Sequence, residues 1–90
     1  MNIVGLGQCG CNIAEKFKQY PQYEIYLFDT EKREGKNSRV LKEQETHKDY
    51  EDNFPKYKFK PKYDETIFIC ASSGTITGAS LRLLHHFNKT

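Results

Sequence analysis

The chain is predicted to be α/β, a three-layer arrangement with helices on both sides of a parallel sheet, and three features of the sequence predict it. A short apolar run, Asn2 to Leu6, passes through glycines straight into an amphipathic segment. A second apolar run, Glu24 to Phe28, follows after one helix length. A third, Glu65 to Ala71, leads through a Gly/Ser/Thr-rich turn into another amphipathic segment. A strand-helix-strand unit this short implies parallel strands joined by a right-handed crossover.

Each element has its own warrant. Asn2-Ile3-Val4-Gly5-Leu6 is β-branched or bulky and punctuated by glycine, as a short buried strand is. A tight turn is expected next. From Cys11 to about Gln19, Ile13, Ala14, Phe17 and Tyr20 recur at helical spacing until Pro21 stops the pattern. Glu24 to Phe28 is the second strand, ending at Asp29-Thr30. Residues 31–64 form a polar, less regular insert, with a weak helix around Ser38 to Glu45 and an extended stretch from Tyr57 to Phe59. The unbroken run Glu65 to Ala71 reads as a central strand covered on both faces. After the turn Ser72 to Gly78, the stripe Ala79, Leu83, Leu84 and Phe87 marks the last helix.

At 90 residues the chain is one domain at most, and a domain of that size buries only about 60% of the surface its unfolded chain exposes. A formal charge of +2 is too small by itself to imply a polyanionic partner. No apolar run is long enough to cross a membrane. Met1 to Gly5 enters a strand pattern at once, with no basic leader, so a cytoplasmic location is expected. Cys9, Cys11 and Cys70 are an odd set without C-x-x-C spacing, which points to reduced thiols rather than disulfides or zinc ligands. Cys9 and Cys70 read as small buried residues, since no base partner can be named for either.

The chemistry concentrates in two turns. Gly5-Leu6-Gly7-Gln8-Cys9-Gly10 satisfies G-x-G-x-x-G between a strand and a helix, the context in which the pattern signifies phosphate binding. Glycines let the backbone approach a phosphate, and the helix N-terminus supplies N–H groups and a positive dipole end. Alone, this motif fits a Rossmann unit binding NAD through Gly5, Gly7 and Gly10, with Asp29 placed to hold a ribose hydroxyl. The second turn, Ser72-Ser73-Gly74-Thr75-Ile76-Thr77-Gly78, fits a nucleoside triphosphate better, although Ser or Thr there could equally cap a helix.

The stretch Gly7-Gln8-Cys9-Gly10-Cys11-Asn12-Ile13, continuing to Lys16-Phe17, resembles the first nucleotide-binding loop of tubulin, Gly-Gln-Cys-Gly-Asn-Gln-Ile running on toward Lys-Phe. The later turn is similar to the tubulin/FtsZ signature Gly-Gly-Gly-Thr-Gly-Ser-Gly: Gly74, Thr75 and Gly78 match, and Ser73 and Ile76 stand where the family has glycine. The resemblance implies the amino-terminal portion of a tubulin-like, Rossmann-like domain over residues 1–90, in a filament-forming GTPase that associates head to tail. It implies GTP or GDP as ligand, with Mg2+ carried on the phosphates. Gly7, Gln8, Cys9, Gly10 and Asn12 would line the phosphates and the base side, while Ser73, Gly74, Thr75, Ile76 and Gly78 form the second phosphate loop. The family's catalytic acidic loop has no counterpart here, so no catalytic residue is assigned.

Two other features carry less. Lys56, Lys58, Lys60 and Lys62 alternate with Tyr57, Phe59, Pro61 and Tyr63, a pattern open to a nucleic-acid groove but better read as an edge strand with rings inward and lysines outward. His85 and His86 fall late in the last helix, where positive charge suits the dipole, and adjacent positions share no metal-binding face. His47, among Glu45, Asp49, Glu51 and Asp52, lies in a solvated polar segment.

Overall fold

The structure, a computed structural model, describes residues 1–55, 57, 59–70 and 75–87. Four strands, β1 (Asn2–Leu6), β2 (Glu24–Asp29), β3 (Ser38–Val40) and β4 (Thr66–Cys70), form one sheet of order β3-β2-β1-β4. All three pairings are parallel. Helix α1 (Gly7–Glu15) covers one face; α2 (His47–Asp52) and α3 (Ser80–Phe87) cover the other. The α/β expectation is met, in three layers.

The period-two alternation of the strands creates the two cores. Ile3 and Leu27 face α1 and pack with Cys11 and Ala14. Val4, Leu6, Tyr26 and Phe28 face the opposite way and meet Tyr50 of α2 with Leu83 and Phe87 of α3. Much of that second face is roofed by aromatics from the polar insert. Tyr26 stacks on Phe59 at 5.3 Å between centroids, and Phe28 meets Tyr57 edge-on at 5.5 Å. Burying a ring such as Phe28, which is wholly enclosed, contributes about 2 kcal/mol.

Three expectations are corrected. The weak helix at Ser38 to Glu45 is instead strand β3 followed by irregular chain, because the free edge of β2 takes up its backbone. Leu27 N–H donates to Asn37 O at 3.2 Å, and Leu41 N–H to Asp29 O at 2.7 Å. The helix of this region lies further on, where Thr46 Oγ1 caps α2 by accepting from Asp49 N–H at 3.1 Å. β4, read as central, lies at an edge of the described sheet, with Ile67 45% exposed; β1 is the strand flanked on both sides. Finally, the Tyr57 to Phe59 stretch is no edge strand. Its rings do pack inward and Lys60 and Lys62 are exposed, but the described edges are β3 and β4. Lys56 and Lys58 lie outside the described residues.

One buried side chain sets the register before β4. Asn2, fully enclosed, donates from Nδ2 to Tyr63 O at 2.8 Å and to Thr66 Oγ1 at 3.1 Å, and accepts from Tyr63 N–H at 3.2 Å. Among the described residues, no helix is long and apolar enough to cross a membrane.

Candidate functional site

The first glycine turn is a single residue. Leu6 is still extended, Gly7 turns the chain at φ +78°, and α1 begins at once, four residues before its expected start. A side chain at Gly7 would be strained by that φ. Among the described residues, no side chain caps the N-terminus of α1 and no acidic residue sits in its first turn. An acceptor brought to this point would meet the first-turn N–H groups at the positive end of the helix. Gln8, Cys9 and Asn12 are exposed on α1. Gly10 faces the opposite way: a Cβ there would fall 2.2 Å from Ile69 O, so its lack of a side chain lets α1 lie on β4.

The second turn reaches the same place from the neighbouring strand. Ser72, Ser73 and Gly74 lie outside the described residues, as do the side chains of Thr75 and Thr77. Thr75–Ala79 is a 3-10 turn that opens α3, so Ile76 and Gly78 belong to a helical start rather than an open loop. Ile76 Cγ2 lies 2.9 Å from where a Cβ on Gly7 would be. The two turns thus touch, Gly7 against Ile76. The helices that follow β1 and β4, strands adjacent in the sheet, lie on its opposite faces. A crevice beyond the carboxyl ends of two such strands is where open α/β sheets bind ligands.

On the β2 side of α1 lies a residue that pattern reading passes over, because a single arginine in a polar stretch carries no periodic signal. Arg33 donates from Nε to Asp29 Oδ2 at 2.8 Å, from Nη1 to Glu15 Oε1 at 2.9 Å and Asn12 Oδ1 at 3.0 Å, and from Nη2 to Gln8 O at 3.3 Å. Burial works against its charge, but the bonds to Asp29 and Glu15 outweigh it and raise its pKa. Asp29 is itself buried, its Oδ1 accepting from Thr30 N–H at 2.7 Å. Both carboxylate oxygens that a ribose would need are already engaged within the protein.

The cysteine expectation is reversed: Cys9 and Cys70 are exposed, and Cys11 is the buried thiol. Its Sγ–H lies 3.4 Å from both Gly5 O and Phe28 O, and burial pushes its pKa up to about 11. Such a thiol is inert at neutral pH. His86 is half-buried, with Nε2 3.0 Å from Phe59 O and its ring 4.6 Å from the Phe59 ring, whereas His85 is exposed. Among the described residues, no three His, Cys, Asp or Glu side chains converge as metal ligands. Compared with protein-family profiles, curated proteins and solved structures, the chain matches none.

Proposed function

We propose that this chain binds a guanine nucleotide, with magnesium on its phosphates, in the crevice between the carboxyl ends of β1 and β4. The reading places it as the amino-terminal part of a tubulin/FtsZ-like, cytoplasmic, filament-forming GTPase. The observation that carries it is the meeting of the two glycine-containing turns at Gly7 and Ile76, beside the N-terminus of α1, which no side chain caps among the described residues. The resemblance of Gly7 to Ile13 to the tubulin loop supplies the nucleotide's identity. In this reading the N–H groups opening α1 hold phosphate oxygens without a side-chain cation, Gln8 lies toward the magnesium-phosphate region, and Asn12 lies toward the base. Thr75 and Gly78 lie in the 3-10 turn that opens α3, whose leading N–H groups would complete the cradle. Hydrolysis and head-to-tail association need residues from elsewhere, so this chain's part is binding.

A Rossmann unit for NAD shares the strand order β3-β2-β1-β4, but Asp29 is taken up by Arg33 and Thr30. Calorimetric titration with GTP-magnesium, ATP-magnesium and NAD separates the readings, run on the purified chain and on any longer natural product containing it. GTP preference, weakened about tenfold by Gln8→Ala at an exposed helix position, is the expected result. NAD preference abolished by Asp29→Ala would transfer the site to the dinucleotide reading. No binding by either form would leave the two turns as structural features only.

A further inference from the structure

The strongest unexplained feature is the convergence of four acceptors on Arg33, on the side of α1 that the proposed function gives to the base. A guanidinium has donors only. Asn12 amide orientation, ordinarily ambiguous, is therefore decided by chemistry: its Oδ1 must face Arg33 Nη1, 3.0 Å away, since the flipped amide would set donor against donor. The Arg33 side chain is 12% exposed and also holds Glu15 and Asp29, so it has little freedom to leave. The exposed Asn12 consequently turns its NH2 group away from Arg33, as a fixed donor on the stripe it shares with Gln8, four residues earlier. Guanine and adenine differ at one ring position in just this respect, guanine carrying the acceptor O6 and adenine an N6 amine donor.

We propose that Arg33 is a specificity-determining positioning residue, which locks the Asn12 amide as a donor and so favours guanine over adenine in the site. The inference rests on the nucleotide-binding reading. Arg33 touches no base itself; it acts through Asn12, and the carboxylates of Asp29 and Glu15 hold it in place.

The test is the ratio of GTP to ATP affinity in the purified chain carrying Arg33→Lys, Asn12→Ala, both together, and Asn12→Asp. Lysine keeps a positive charge for Asp29 and Glu15, but one ammonium cannot also serve Asn12 and the Gln8 carbonyl. The expected result is a ratio lowered about fivefold by R33K and by N12A, the size of one hydrogen bond, with no further fall in the double variant. N12D, an exposed change that keeps a partner for Arg33 while offering only acceptors, lowers the ratio below that of N12A. R33K weakening both nucleotides equally would show a merely structural arginine and overturn the proposal. Additive R33K and N12A effects, or an unchanged ratio in N12D, would overturn it as well. Absence of nucleotide binding by the unaltered chain is a different failure, because it removes the binding reading on which the proposal stands.

Discussion

Replacing Gly10 with alanine gives the sharpest test of how α1 sits on the sheet. A Cβ at this position would lie 2.2 Å from Ile69 O, 3.0 Å from Ile69 C and 3.3 Å from Cys70 Cα. All three are backbone atoms of β4, so no rotamer change relieves the contact, and α1 must retreat by about an ångström. That retreat opens the layer formed by Ile3, Cys11, Ala14 and Leu27. Overpacking of this kind costs about 1–3 kcal/mol, and replacing a helical glycine recovers about 0.5–1 kcal/mol. Because the atoms met are rigid backbone, the upper half of the overpacking range applies, and a net loss of about 1–2.5 kcal/mol lowers the Tm of a domain this size by roughly 4–20 °C. Thermal melts of the nucleotide-free chain, followed by circular dichroism, measure it, with Cys9→Ala on the exposed side of the same helix as control. An unchanged Tm in G10A would refute the packing argument and return Gly10 to a role felt only when ligand is bound.

Two further predictions concern the titratable groups. Native alkylation with iodoacetamide at neutral pH, read by mass spectrometry, is expected to label Cys9 and Cys70 and to spare Cys11 until the chain is unfolded; early labelling of Cys11 contradicts the buried site. Burial alone would raise the pKa of Glu24, but Lys36 at 3.1 Å and Lys62 at 3.5 Å hold it below its ordinary 4.5. Its contribution is therefore present above that value and lost as pH falls through the lowered folded-state pKa. Both lysines are exposed, which keeps the effect small. Urea melts at neutral and acid pH should show a shallower loss of stability in Glu24→Gln than in the unaltered chain, and identical pH dependence would rule the linkage out.

Much of the α/β plan can be read along the chain, because it is written in local periodicity. The limits of β1 and nearly those of β2 follow from apolar runs ended by Gly7 and by Asp29-Thr30, and the end of the first helical segment follows from Pro21. The apolar stripe Ala79, Leu83, Leu84 and Phe87 likewise foretells α3 and, in Ala79, Leu83 and Phe87, its buried face, although Leu84 is exposed. Both glycine turns are visible as motifs. Strand position is not, since an apolar run records how much of a strand is covered and not which neighbours it has. β4 is apolar, yet it stands at an edge of the described sheet. β3 is only three residues long and exists because the edge of β2 offers unpaired backbone groups, a demand that no local propensity encodes.

The sequence by itself determined that two strand-turn-helix units exist, that the first carries a phosphate-loop pattern, and which residues form the apolar stripes that drive burial. Only the tertiary structure decided that the two turns meet, with Ile76 against Gly7, and that Gly10 serves the contact between α1 and β4. It also decided that Asp29, Glu15, Asn12 and the Gln8 carbonyl share one arginine. The physical reason is range. Turn chemistry and periodicity act over a few residues, whereas these contacts join positions up to 69 residues apart and arise only when parallel strands bring their carboxyl ends to one edge.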